Sequence, residues 1–368
     1  MRRTAICLAA SSMAFSLSAC GALGVSSSSA DASPTKGDDI TVGVLMPEKT
    51  NSRYEKFDYP IIKAKVAELT DKKGTTVYAN GEADADQQAT QMQKMIDDQV
   101  DVILLDAVDS KKIATMVKKA KDAGIPVIAY DRLAEGPIDA YVSFDNELVG
   151  EVQGRTLVEA LGENVDTSDK IVMINGSPSD PNAGQFKAGA LSELNGKVTI
   201  AEKYDVDGWK PEIAKEDMAK AIKAIGKDNI AAVYSANDAM AETAIEAMEE
   251  AGMTDLPPIT GQDAELPAVQ RIVTGEQYMS VYKSYPLEAE AAAEMAVAKI
   301  QGKSILFDSL TQDRVDSPTT KDIPAQLVSV SALTQKNIKS TVVADGIYKL
   351  SDICTPKLAS ACAAIKLN

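Results

Sequence analysis

The chain of 368 residues contains no histidine, one tryptophan and four cysteines. Without histidine, Ser-His-Asp and Cys-His catalysis are excluded, as are His-ligated zinc and haem. Positive charge is also scarce. Lys+Arg number 38 against 54 Asp+Glu, a formal net charge of −16. Such a chain has no cationic excess to displace counterions from phosphates, so nucleic acid is not an expected partner. The same charge repels anionic lipid surfaces and anionic substrates at long range, and a neutral ligand fits best. No segment after residue 20 is long and apolar enough to span a bilayer. Hydrophobic content of 45% and charged content of 25% exclude bulk disorder and collagen. The length suggests two domains with ample core.

The first residues read as a targeting segment. Arg2 and Arg3 precede an apolar stretch from Ala5 to Leu17, which ends in Leu17-Ser18-Ala19-Cys20 followed by Gly21. Small residues before a cysteine at this place resemble a bacterial lipobox, which implies a signal peptide over 1–19 and lipidation of Cys20. The Ser-, Ala- and Gly-rich stretch that follows makes 20–38 a flexible tether. Cys7 leaves with the signal. Cys354 and Cys362 remain, and in an exported chain they are expected to form a disulfide. A redox or metal pair is the alternative, but the spacing is not C-x-x-C and no further ligand is near.

From Ile40 onward, apolar runs of four to seven residues alternate with helical patterns, the signature of parallel sheets covered on both faces. Strands are expected near 40–46, 75–79, 102–105, 125–130, 140–144, 171–174, 198–201, 230–234, 259 and 279–282. An internal echo accompanies them. Residues 101–131 and 229–263 each read strand, polar turn, helix, Ala-Gly, strand, Asp, which suggests two similar lobes. Ligands of such sheets bind at the carboxyl ends of strands. Asp131-Arg132, Asn175-Gly176, Asn237-Asp238, Gln262-Asp263 and Lys283 all follow apolar runs, with Asp180 and Asn182 shortly after. Amides, carboxylates and cations together suit a polyol, whose hydroxyls both donate and accept. Each residue alone has a plainer reading as a turn former or helix cap. Trp209 offers a flat face for a sugar ring, or simply packs in a core. Asp205-Val206-Asp207-Gly208 lacks calcium-loop spacing and Gln301-Gly302-Lys303-Ser304 lacks a phosphate loop's upstream glycine.

Seven short motifs occur in order: Ala129-Tyr130-Asp131-Arg132, Val142-Ser143-Phe144-Asp145-Asn146, Gly176-Ser177-Pro178 leading to Asp180 and Asn182-Ala183, Val206-Asp207-Gly208-Trp209, Ser235-Ala236-Asn237-Asp238-Ala239, Gly261-Gln262-Asp263-Ala264 and Val281-Tyr282-Lys283. In these the chain resembles the ribose/galactose-type periplasmic sugar-binding proteins of ABC importers, nearest the D-xylose-binding branch, over about 39–348. The resemblance implies the type I periplasmic binding protein fold, an α/β fold of two Rossmann-like doubly wound lobes joined by a three-stranded hinge. It also implies a monosaccharide ligand, xylose-like pentose or hexose, and delivery to an ABC permease.

By the same resemblance Arg53, Tyr54, Lys56, Asp131 and Arg132 bind hydroxyls from the first lobe, joined by Lys283. Asp180, Asn182, Trp209 and Asn237 face them from the second, and Asp263 sits at a hinge crossing. The family has Arg-Trp where this chain has Arg53-Tyr54. The first lobe is expected to hold 39–144 and 265–310, the second 145–262 and 311–345, with 346–368 a C-terminal extension stapled by the cysteines. No cofactor or metal is expected. The protein is expected as a monomer, lipid-anchored on the outer face of the cell membrane, and not an enzyme. A sugar sensor signalling to a membrane receptor and an exported sugar-acting enzyme with Asp131 and Asp263 as acid and base remain as alternatives.

Overall fold

The computed structural model describes residues 35–367. The chain alternates strand and helix for its first half: β1 (Thr41–Met46), α1 (Tyr59–Leu69), β2 (Thr75–Asn80), α2 (Ala85–Asp97), β3 (Val102–Leu105), α3 (Ala114–Asp122), β4 (Val127–Tyr130) and β5 (Ala140–Phe144). Then follow α4 (Asn146–Leu161), β6 (Lys170–Asn175), α5 (Pro181–Leu194), β7 (Thr199–Asp205), α6 (Pro211–Ile225), β8 (Ala232–Ser235) and α7 (Asp238–Glu250). The last part contains α8 (Leu266–Thr274), β9 (Ser280–Lys283), α9 (Tyr285–Ile300), α10 (Ser304–Leu310), β10 (Asp313–Val315), β11 (Ile323–Val328), β12 (Val330–Leu333), α11 (Leu350–Ile353) and α12 (Ala359–Ala364).

Three sheets define two lobes, one sheet in the first and two in the second. The first has seven strands in the order β10-β11-β5-β4-β3-β1-β2, parallel except for β10. Its strands are buried on both faces. Val42, Val44 and Met46 of β1 pack with Ile62 and Val66 of α1 and the alanines of α9, while Leu45 joins Met92, Met95 and Val117 under α2 and α3. This split follows from the two-residue period of a strand. The second lobe has β7-β6-β8 in parallel and β9 antiparallel to β12. Single bridges from Val233 to Ile259 and from Gln262 to Val281 lay residues 259–262 between the two groups. Helices α4 and α5 touch closely. A Cβ on Gly150 would lie 2.0 Å from the Phe186 carbonyl, so only glycine allows the approach that seats α5.

The chain passes between the sheets three times: after Phe144, between β9 and α9, and between β11 and β12. The first passage directly follows β5. The other two are later than the expected boundaries at 264 and 310. β9 hydrogen-bonds to β12 and to Gln262, so it lies in the second lobe, and β10 and β11 extend the first-lobe sheet beside β5. Lys283 therefore belongs to the second lobe's sheet, at the edge of the hinge.

The ends differ from expectation too. The signal peptide, Cys20 and most of the tether lie outside the described residues. Residues 35–38 are part of the fold, because the Lys36 N–H donates to the Ile300 carbonyl at 3.0 Å and its ammonium pairs with Asp101 at 2.6 Å. Cys354 and Cys362 form a disulfide. The segment they staple is not an appendage. Ile353, Cys362 and Leu367 are buried against Val269, Ile272 and Val273 of α8 and Leu333 of β12.

Candidate functional site

A cavity lies between the lobes at the carboxyl ends of both sets of strands. From the first lobe it is lined by Glu48, Asn51, Tyr54, Asp131 and Arg132, and from the second by Asp180, Asn182, Phe186, Trp209, Asn237, Gln262, Asp263 and Lys283. Nine of the eleven binding residues expected from the sequence are among them. Lys56 is not. It is exposed on the wide helical turn before α1 and has no place in the lining.

Arg53 is the other departure. Its side chain is 1% exposed and lies beneath the cavity. Its Nε and Nη2 donate to the two oxygens of Asp58 at 2.8 and 3.2 Å, its Nη1 donates to Asp131 at 3.2 Å, and its Nη2 also donates to Glu288. The guanidinium carbon sits 4.5 Å from the centroid of the Tyr285 ring. Arg53 holds Asp131 from below; it does not face the cavity.

Asp131 and Asp263 end the two echoing strand–helix–strand units. Both adopt left-handed backbone, with φ of 55° and 91°, where residues with a Cβ are uncommon. The surroundings hold them there. The Asp131 carbonyl accepts from the Tyr141 hydroxyl at 2.8 Å, the Ser143 hydroxyl at 2.7 Å and the Asn182 amide at 3.0 Å. Burial alone would raise the Asp131 pKa, but Arg53, Lys283 and Arg132 outweigh it and hold the carboxyl below its ordinary value. Asp263 accepts from the Asn51 amide at 2.7 Å and pairs with Lys283 at 2.8 Å. Burial works against the Lys283 charge, yet Asp263 and Asp131 raise its pKa above the usual value.

The second lobe closes the far side. Asp180 caps α5 by accepting from the Asn182 N–H at 2.9 Å, and Asn237 caps α7 by accepting from the Met240 N–H at 2.9 Å. The plain capping role and the place in the cavity coexist in both residues. Trp209, also left-handed at φ 57°, donates from Nε1 to Asp180 at 3.1 Å. Its ring lies flat on Gly176, where a Cβ would sit 2.0 Å from the ring, and edge-on to Phe186 at 6.3 Å. Arg132 reaches across from β4 to Asp180, Nε to Oδ2 at 3.1 Å. Among the lining residues, three polar contacts thus span the lobes: Arg132 with Asp180, Asp131 with Asn182, and Asn51 with Asp263.

Glu48, Asn51 and Phe186 are lining residues the sequence reading missed. Glu48 and Asn51 lie in the loop after β1, so a strand-end rule extended to the following loop, as it was for Asp180 and Asn182, would have found them. Phe186 sits one turn beyond Asn182 on α5, and only the helix's facing brings it in. Among the described residues no group of three or more acidic or cysteine side chains is arranged to hold a metal ion, and no helix is long and apolar enough to cross a membrane. The cavity presents amides, carboxyl groups, cations and one indole face from two sides. That is a donor and acceptor set for a neutral, hydroxyl-rich molecule.

Known proteins resemble this chain over most of its length. The D-xylose-binding periplasmic protein of Escherichia coli (strain K12) is 35% identical over 321 residues, covering 86% of this chain and 93% of its own. The multiple sugar-binding periplasmic receptor ChvE of Rhizobium radiobacter is 30% identical over 357 residues, 92% and 98% of the two chains. The crystal structure of an ABC transporter solute binding protein from Clostridium phytofermentans with bound beta-D-glucose is 26% identical. It superposes with a TM-score of 0.78 over 85% of this chain and 99% of the other. With the family model for the periplasmic binding protein domain matching residues 42–304 as well, the chain belongs to the periplasmic binding protein family, alongside its sugar-binding members.

Proposed function

We propose that this protein captures a single monosaccharide, a xylose-like pentose or a hexose, by closing its two lobes, and hands it to an ABC importer in the same membrane. The observation that carries this is the cavity itself, with polar groups converging from both lobes and Trp209 and Phe186 as its apolar wall. A polyol between two surfaces is desolvated only when they meet, and charged partners strengthen the hydrogen bonds that replace water. The resemblance to sugar-binding relatives over most of the chain supports the same ligand class.

Catalysis is not part of this reading. Asp131 is held ionised, whereas a general acid needs a raised pKa. Burial does raise the pKa of Asp180, against the pull of Arg132, but its oxygens already accept from Asn182, Trp209 and Arg132. The test is a thermal-shift screen over xylose, arabinose, ribose, glucose, galactose and fructose. A cognate sugar at 100 times its Kd stabilises by about 2.7 kcal/mol. No shift with any of the six would contradict the proposal.

The proposal includes a monomeric protein anchored through lipidated Cys20 on the extracytoplasmic face. Cys20→Ala should release a soluble secreted form; retention in the membrane fraction with no lipid on Cys20 would contradict the anchor. One acyl chain binds a bilayer only marginally, so firm retention calls for at least two.

A further inference from the structure

Asp106 directly follows β3, beside Arg132, and is 0% exposed. Neither of its carboxylate oxygens has a hydrogen-bond partner. Its nearest cation is Arg132, whose Nε stands 3.6 Å from Oδ1. The same Nε is nearer to Asp180 across the cleft, at 3.1 Å, and Arg132 Nη1 donates to the Ala107 carbonyl at 3.1 Å. One guanidinium therefore stands between a carboxyl of its own lobe and a carboxyl of the other. Asp180 is well supplied, accepting from the Asn182 N–H and the Trp209 indole besides Arg132. Asp106 has no hydrogen bond, only the longer approach of Arg132.

A buried carboxylate without a partner is costly, and the cheapest remedy is a proton. When the lobes part, Asp180 leaves with the second lobe and water reaches the face it covered. Arg132 then has Asp106 as its remaining carboxylate, and an ionised Asp106 is solvated and paired. We propose that Asp106 is the positioning residue for Arg132: it holds the guanidinium while the cleft is open and, by taking one proton from solvent as the cleft closes, releases it to Asp180. Ligand capture is then coupled to uptake of a proton. No other bond changes; the guanidinium stays charged and exchanges one carboxylate partner for another.

The electrostatic surroundings agree with this. Burial pushes the Asp106 carboxyl well above the usual range, Asp131 and Asp180 add to the rise, and Arg132 and Arg53 oppose it. Tyr54, the other titratable group facing it, is itself held neutral chiefly by burial. Glu48 adds a further negative charge near Arg132. Asp131 cannot be the proton's destination, since its pKa is lowered.

This inference rests on the capture reading above, and calorimetry separates the two. The purified protein is titrated with D-xylose and with D-glucose at pH 7.5 in phosphate and in Tris, whose ionisation enthalpies differ, and again at pH 6 and pH 8.5. The expected result is a buffer-dependent enthalpy amounting to as much as one proton taken up per sugar. The group's pKa is higher in the closed state, so its help to closure is lost as pH rises, and Kd should rise by up to about tenfold per pH unit while uptake is complete. D106N should bind with a buffer-independent enthalpy and a Kd that is flat across this range. Buffer-independent enthalpy in the native protein overturns the inference without needing any variant. Retained uptake in D106N also overturns it. No heat with either sugar, together with no shift in the six-sugar screen, overturns the capture reading and this inference with it.

Discussion

Replacing Arg53 with methionine should cost this protein stability first and affinity second. Arg53 is a fully buried cation with three carboxylates around it: Asp58, bound by two of its nitrogens, Asp131 and Glu288. The Tyr130 hydroxyl donates to Asp58 at 2.7 Å and stays behind when the arginine is gone. Methionine fills much of the stem's volume and keeps contact with Tyr285, so the loss comes from charge rather than from a void. Removing one partner of a buried ion pair typically costs about 3–5 kcal/mol, because the remaining charge is stranded. For a chain this long that corresponds to a urea midpoint lower by on the order of 1–2 M.

The loss should depend on pH. Burial already pushes the Glu288 carboxyl well above its ordinary range, with Arg53 the main group pulling it back and Asp131 and Asp58 raising it further. Without Arg53, Glu288 binds its proton more firmly still in the folded state. The folded state is then penalised as pH rises above the ordinary carboxylate range near ~4, and the penalty is larger at pH 8 than at pH 5. Adding Asp58→Asn and Glu288→Gln to the methionine variant removes two of the stranded charges and should recover more than half of the loss. Urea unfolding followed by circular dichroism at both pH values reads all of this. Wild-type stability for Arg53→Met at pH 8, or an equal loss at pH 5, would refute the account of Arg53 as the cation beneath the site.

Other expectations are simpler. Trp209→Ala removes the indole face and a donor to Asp180 and should weaken sugar binding by roughly 10- to 100-fold by calorimetry, with little change in melting temperature since the ring is part-exposed. Lys56→Ala should leave Kd within twofold of the native value, because Lys56 lies outside the lining; a tenfold loss would return it to the site. Burial, with help from Asp238 and Asp263, pushes Glu265 up to about 8, and its Oε1 has no partner. A carboxyl raised on folding stabilises below its unfolded pKa and loses that effect as pH rises to its folded value, so melting temperature should fall between pH 5 and pH 8.5, and fall less in Glu265→Gln.

Most of the first lobe was legible in the sequence because buried parallel strands are written as unbroken apolar runs, as in Val102–Leu105 and Val127–Tyr130. The edge elements were not. β10 is Asp-Arg-Val, and β12 carries Ser331 half-buried at its centre, so neither has an apolar run to read. Missing them misplaced two of the three crossings. Helix α5 was invisible for a related reason. Gly184 and Gly189 weaken its local preference, and its position is set by packing against α4. Of the cavity lining, Asp131, Arg132, Asn237 and Lys283 were legible because polar residues follow the ends of apolar strands. Arg53 was assigned to the right neighbourhood but the wrong layer. An arginine's reach lets its head lie above or below a strand end, and only the positions of Asp58, at the end of the same helical turn, and Glu288, on α9, decide which.

The central claim is that the two lobes close over one sugar, and small-angle X-ray scattering tests it most directly. Scattering from the purified protein is recorded without ligand and with a saturating amount of the sugar that gives the largest thermal shift. Closure predicts a smaller radius of gyration with the sugar present, abolished when Trp209→Ala and Arg132→Ala are combined. Identical scattering with and without a sugar that calorimetry shows to be bound would contradict it.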